Sequence, residues 1–296
     1  MHRHAYLLLT LTALFWAGNA VGGKLAVGHV SPMLLSALRW GIACAVLLAI
    51  GHRQVRAEAA VLRSNAGLLL FLGFFGFTIF SVALYSALLF TTAINASILQ
   101  AGMRAIIFVM NFWLFRLRPK RGQVLGFLLS LVGVAVAATH GELERLLVLN
   151  VNVGDALVLA AAVAYAIYTV FLRRKPPLHW ISFMVALTAA GFVTSLPFAV
   201  VEFARGDLIV PDALGWAIVA YTALLPSALA QAFYIKGVNL IGGNRAGLFI
   251  NLVPIFGTLL SILLLGEQPH LYHAIALALV LGGIAIAEVS GRRTVA

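Results

Sequence analysis

Long apolar runs alternate with short polar connectors along the whole chain. A helix that crosses the hydrocarbon core of a bilayer needs about 20 apolar residues. By that rule the pattern predicts ten spanning helices, at roughly 5–27, 32–50, 66–89, 93–115, 122–140, 153–172, 180–203, 213–236, 243–265 and 270–290. The connectors leave no room for a sizeable soluble domain. The expected fold class is an all-α membrane protein.

The polar interruptions recur. The stretch Tyr234 to Pro254 reads as a helix end, a tight Gly-Gly-Asn turn and a new helix with Pro254 inside it. A Leu-Gly-Glu267 exit and a last apolar run to Ala287 follow. The layout from Tyr85 to Ala138 is the same. A shift of 149 puts Tyr85 on Tyr234, Asn95 on Asn244, Leu99 on Leu248, Arg118 on Glu267 and Gly133 on Gly282. It also puts Ala13 on Ala162, Trp16 on Tyr165 and Lys24 on Arg173. The signal is the gapless register, with helices falling on helices and turns on turns. The sequence therefore predicts two five-helix repeats, 1–145 and 150–296, that form one transport domain.

Composition narrows the solvent. Of the 296 residues, 62% are hydrophobic and 10% charged, against about 45–50% apolar and 25% charged in soluble domains. The chain has too few polar groups to cover itself in water, so lipid is its solvent. The single cysteine, Cys44, excludes an internal disulfide and a cysteine metal cluster. No small-residue cleavage signature follows the first apolar run, so that run reads as a membrane helix and not as a signal peptide.

The net charge of +11 is explained by its placement. With a cytoplasmic N-terminus, the cytoplasmic segments hold Arg3, the Arg53–Arg63 connector, Arg116 to Arg121, Arg173 to Lys175, Lys236 with Arg245, and Arg292 with Arg293. Lys24, Arg145 and Arg205 fall on the far side, as do Glu142, Glu144, Asp155, Glu202, Asp207, Asp212 and Glu267. The positive-inside rule then puts both termini in the cytoplasm. The basic residues serve topology and anionic headgroups rather than nucleic acid. Five helices per half force the second half to enter from the opposite side, so the repeat is inverted. Inverted repeats belong to alternating-access carriers, with the substrate site near the midplane. Pro197, Pro226 and Pro254 lie inside helices, where each removes a backbone hydrogen bond and invites a kink.

These residues carry a resemblance. Phe15-Trp16-Ala-Gly-Asn19, Ser31-Pro-Met-Leu-Leu-Ser-Ala-Leu-Arg39-Trp, and the stretch from Tyr234 to Ala287 with Pro254 and Leu-Gly-Glu267 resemble the EamA branch of the drug/metabolite transporter superfamily. Within it the chain is most similar to bacterial aromatic amino-acid exporters. The resemblance implies a central cavity, peripheral fifth and tenth helices, and export of small metabolites across a bacterial inner membrane. The first half departs from the pattern. It has Arg104-Ala105 where the family favours proline, which predicts a straighter fourth helix. It also has Arg118 where the second half keeps Glu267.

A carrier site needs polar and aromatic groups inside an apolar bundle, where they are costly unless paired or wet. The candidates for substrate binding are Trp16, Asn19, Tyr85, Gln100, Arg104, Tyr165, Tyr168, Gln231, Tyr234 and Asn251. Repeat-related aromatics at the midplane suit a flat ligand; the competing roles are helix–helix bonding and an interfacial aromatic belt. Arg104 reads either as a partner for a substrate carboxylate or as a structural contact. Arg39, about seven residues into its helix, has the same two readings, with the structural one favoured. No Asp or Glu sits at the centre of a predicted helix, and all eight His lie near ends or loops. The sequence therefore predicts a carrier with no cofactor and no obligatory proton coupling. Its partners are lipids and a small substrate, with amino acids foremost. The alternatives are nucleosides, sugar derivatives or drugs. An integral-membrane enzyme is disfavoured, because no nucleophile–base or metal motif lies at membrane depth.

Overall fold

The computed structural model describes residues 2–116, 120–142 and 152–292. Among the described residues there are helices and turns but no strand. We number the long helices α1 (His2–Leu25), α2 (Pro32–Ala57), α3 (Ala66–Ala87), α4 (Ala93–Ala101 and Met103–Phe115) and α5 (Arg121–Ala138). The others are α6 (Val153–Phe171), α7 (Trp180–Ala204), α8 (Ala213–Ile241), α9 (Gly243–Phe249 and Leu252–Leu265) and α10 (Leu271–Arg292). Nine of these are long and apolar enough to cross a membrane; α10 contributes a shorter apolar stretch, Leu271–Ala287. The protein is a multi-pass, all-helical membrane protein.

Local chemistry sets the helix starts. Thr92, Asn152 and Asp212 turn their side-chain oxygens onto the first-turn N–H groups of α4, α6 and α8, donors that have no partner within the helix. Ser31 is extended and Pro32 opens α2, where a missing N–H costs nothing. The antiparallel pair α2 and α7 cap one another. Glu202, near the end of α7, accepts from the N–H groups of Met33 and Leu34 at 3.3 and 3.0 Å. Glu58, at the end of α2, accepts from the His179 N–H at 3.0 Å. A carboxylate at a helix start is favoured by the helix dipole as well as by the hydrogen bonds.

Two irregularities recur at the repeat shift. Phe74–Ile79 in α3 and Ala223–Leu229 in α8 are π-helical, and Phe77 and Pro226 occupy corresponding positions. Proline explains the widened turn in α8; α3 widens without one. The second pair lies in α4 and α9. Gly102 bonds back to Leu99, and Asn251, 149 residues later, bonds back to Leu248. Both helices thus tighten to three-residue spacing at the same place. The expectation that α4 is straighter for want of a proline is corrected here: Gly102 breaks it where Asn251 breaks α9. Arg118, the counterpart of Glu267, lies outside the described residues.

Small residues bring helices together. A side chain at Gly126 in α5 would strike the backbone of Gly283 and Ala287 in α10, and one at Gly73 in α3 would strike Ala190 in α7. Close backbone approach of this kind is how membrane helices associate without a hydrophobic drive.

The core is divided. One cluster joins Val21, Leu35, Leu84, Leu88, Ile94, Leu99, Val134, Val158, Val219 and Val280, and Leu260 and Leu265 pack against it. It gathers every long helix except α7, at the end of the bundle that bears Asp155, Glu202, Asp212 and Glu267. A second cluster joins Trp40, Leu47, Leu69, Leu72, Phe77, Tyr168, Met184 and Leu187. Its buried members come from α2, α3, α6 and α7, with Ala228 of α8 packed against them, towards the end that bears Arg53, Arg116 and Arg173. We call these the acidic and the basic end.

Candidate functional site

A cavity of about 400 Å³ lies between the two clusters. Its wall comes from α1, α2, α3, α4, α6, α8 and α9, with Ile284 of α10 at one edge; α5 and α7 contribute nothing. The wall runs from Ser97 and Arg39, on the acidic side of the midplane, to Ile107, Leu172 and Tyr234 on the basic side.

Nine of the ten sequence candidates line this space: Trp16, Asn19, Gln100, Arg104, Tyr165, Tyr168, Gln231, Tyr234 and Asn251. The irregular backbone positions them. The widened turn of α8 leaves the Pro226 carbonyl to accept from the Trp16 indole N–H at 3.1 Å. Trp16 also lies against Tyr234, with ring centroids 5.4 Å apart. The absent side chain of Gly76, in the π-helical part of α3, gives Tyr168 its place. Tyr165 and Tyr168 pack at 5.1 Å, and Phe80 reaches Tyr165 at 5.1 Å. Together these rings give the cavity several tilted aromatic faces.

Tyr85 is the exception. It is 1% exposed and stands behind the wall, where its hydroxyl accepts from Arg39 at 2.5 Å and donates to Asn19 Oδ1 at 2.9 Å. It supports the cavity without lining it, whereas its repeat mate Tyr234 is on the wall. Arg104 spans the break between α4 and α9: its guanidinium donates to Asn251 Oδ1 and, at 3.4 Å, to the Gly247 carbonyl.

Sequence reasoning favoured a structural role for Arg39 and left it out of the wall. It borders the cavity although it is 5% exposed. The available signal was its place one residue before Trp40, which stacks on the guanidinium at 4.4 Å.

Beyond the cavity, the acidic end is closed by apolar packing and by charge. Leu84, Leu88, Ile94, Ile98 and Leu99 are fully buried there. The Lys24 ammonium donates to the carbonyls of Leu88 and Thr91 at 2.8 and 2.7 Å, on the last residues after α3. Asp155 is sealed and accepts from Thr91 at 2.5 Å and Asn95 at 2.8 Å, with the His140 ring at 3.2 Å. Glu267 takes the first two N–H groups of α4, from Ala93 and Ile94, at 2.8 and 2.9 Å. At the rim, Asp212 meets His29 at 2.7 Å. The Gly215 backbone N–H and the His29 ring hold the Asp212 carboxyl below the usual carboxylate range.

Comparison with known proteins gives one consistent result. The EamA-like transporter family matches the chain twice, over residues 3–139 and 152–288. The uncharacterized transporter YetK of Bacillus subtilis is 28% identical over 290 residues, covering 98% of this chain and 88% of its own. The uncharacterized inner membrane transporter YicL of Salmonella typhimurium is 25% identical, covering 98% of this chain and 97% of its own. A solved crystal structure at 24% identity shares the fold, with a TM-score of 0.68 over 99% of this chain and 100% of that one. The chain belongs to the EamA-like transporter family.

Proposed function

We propose that the protein is a secondary carrier that exports small, flat metabolites, aromatic and other hydrophobic amino acids foremost, across a bacterial inner membrane. It works by alternating access between two inverted five-helix repeats, with the basic end and both termini in the cytoplasm. One observation carries the reading: a 400 Å³ cavity reaches towards one end of the bundle and is shut off from the other by a packed, charge-paired plug. A single gated opening onto a central site is what alternating access requires. The separate family match of each half, and the shared π-helical and three-residue irregularities, support the repeat. The volume and the aromatic wall suit a ligand of amino-acid size with a planar side chain.

Among the described residues, the cavity wall contains no Asp, Glu or His. A proton-coupled carrier needs a group there that changes charge with transport. The carrier therefore runs on the substrate gradient.

Counterflow tests this reading. Liposomes holding the purified protein are loaded with unlabelled tryptophan, and entry of trace labelled tryptophan is followed with and without a proton ionophore. The expected result is transient accumulation that survives the ionophore. Accumulation abolished by the ionophore refutes uncoupled transport, and no counterflow with any amino acid refutes the substrate class.

A further inference from the structure

Arg39 is tied in on three sides. Its Nε donates to Ser227 Oγ of α8 at 2.7 Å, and its Nη1 donates to Asn19 Oδ1 of α1 at 2.9 Å and to the Tyr85 hydroxyl of α3 at 2.5 Å. The Trp40 indole covers one face of the guanidinium at 4.4 Å, and Trp40 is itself fixed by the Phe77 carbonyl and Ser81. A guanidinium offers five N–H donors. Three are used, and the two on Nη2 have no acceptor among the described residues. Nη2 is also absent from the sealed, unpartnered atoms of the interior, such as Ser31 Oγ and Asn111 Oδ1. It therefore keeps accessible surface, and the space that Arg39 borders is the cavity.

The electrostatics are as lopsided as the hydrogen bonding. All three acceptors of Arg39 are neutral. Arg104 is a second cation on the same wall, and among the described residues no carboxylate lies on it. A cation placed in a membrane interior without an anion is unfavourable. A purely structural arginine tying α1, α3 and α8 to α2 accounts for Nε and Nη1. It does not account for two donors left without an acceptor in a residue that borders the cavity, or for the missing acid.

We propose that Arg39 is the anion anchor of the transported molecule. Its Nη2 binds a carboxylate, and the preferred cargo is an organic monocarboxylate with a flat apolar body. An α-amino group adds nothing to binding, because the wall holds no acid to receive an ammonium. This rests on the cavity being the substrate site and sharpens its chemistry from amino acid to carboxylate anion. Nε and Nη1, held by Ser227, Asn19 and Tyr85, fix the plane of the fork. Fixing it in advance limits the side-chain freedom lost when the anion binds.

Three indole probes separate the groups: indole-3-propionate carries only the carboxylate, tryptophan both charges and tryptamine only the amine. Titration calorimetry on the intact protein in nanodiscs is expected to show indole-3-propionate binding at least as tightly as tryptophan, and tryptamine at least tenfold more weakly. Arg39→Gln is expected to weaken indole-3-propionate at least tenfold and to level the three affinities. Should that variant fail to fold, Asn19→Asp keeps the shape and supplies an internal acid beside the guanidinium. It is expected to displace the carboxylate probe by a similar factor. Tryptamine binding as tightly as indole-3-propionate to the unmodified protein would overturn the anchor, as would a folded Arg39→Gln that keeps the original order. In either case counterflow would persist and the carrier reading would stand. If no probe binds and no counterflow appears, the cavity is not the site, and both readings fall.

Discussion

The two ends of the bundle are built from related sequence and behave differently. At the acidic end, side chains from every long helix but α7 meet in one buried cluster. At the basic end, α2, α3, α6 and α7 pack together, and the cavity wall continues along α4, α8 and α9. The helices break at matching places in both halves, so backbone shape does not explain the difference. Charge does part of the work. At the acidic end Glu267 holds the start of α4, Lys24 holds the carbonyls after α3, and Asp155 gathers Thr91, Asn95 and His140. At the other end the start of α9 follows Gly242, which has a φ of 83° and provides no side-chain cap. The carrier proposed above needs such a difference, since two equal ends would leave neither conformation favoured. Each closing bond to a charged group is worth about 1.5–3 kcal/mol. That is enough to bias a two-state equilibrium and small enough for a substrate to reverse it.

Removing the closing groups breaks the comparison in graded steps. The largest effect is expected from Asp155→Ala. It deletes a sealed carboxylate and strands two donors and a histidine, at a cost of about 3 kcal/mol, read as a lower thermal unfolding midpoint in a fixed detergent. An unchanged midpoint would mean that the acidic end is held by apolar packing alone. Glu267→Gln is milder, because one acceptor remains while the charge is lost. The expected cost of about 1.4 kcal/mol is a tenfold shift towards opening at the acidic end. A cysteine at Thr169, which lines the cavity, should then react about tenfold faster with a membrane-impermeant thiol reagent applied to the acidic face, in a Cys44→Ala background. Equal rates with and without Glu267 would remove it from the closure.

The smallest effect belongs to Asp212 at the solvent rim. Its carboxyl is held below its ordinary value of 3.8 by Gly215 and His29. The charged form is therefore favoured by folding. The stabilisation is present above pH 3.8 and is lost as pH falls through the lowered value. Asp212→Asn keeps a capping side chain, so a slightly lower midpoint at neutral pH that converges with the unmodified protein in acid is the expected pattern. A gap that widens on acidification would contradict it.

The all-helical, multi-pass membrane class was legible in the sequence, because bilayer thickness and hydrophobic run length leave few options. The cavity candidates could be read because polar groups inside apolar helices need a reason. What escaped the reading depends on long-range partners. Tyr85 and Tyr234 are matched by the repeat, yet Arg39 and Asn19 draw the first behind the wall while the second stays on it. Arg39 looked structural near its helix start, and only the positions of α1, α3 and α8 show which of its donors are spoken for. The break in α4 was hidden because Gly102 does without proline what the sequence pattern associates with proline. The π-helical turn in α3 has no local cause that we can identify.

The central claim is that one cavity opens at the basic end and is closed at the acidic end. Sided labelling of Thr169→Cys in Cys44→Ala protein tests it directly, in sealed vesicles of known orientation. The account predicts rapid labelling from the basic face, slow labelling from the acidic face, and slowing of the former by tryptophan or indole-3-propionate. Equally rapid labelling from both faces, or labelling from the acidic face alone, would contradict it.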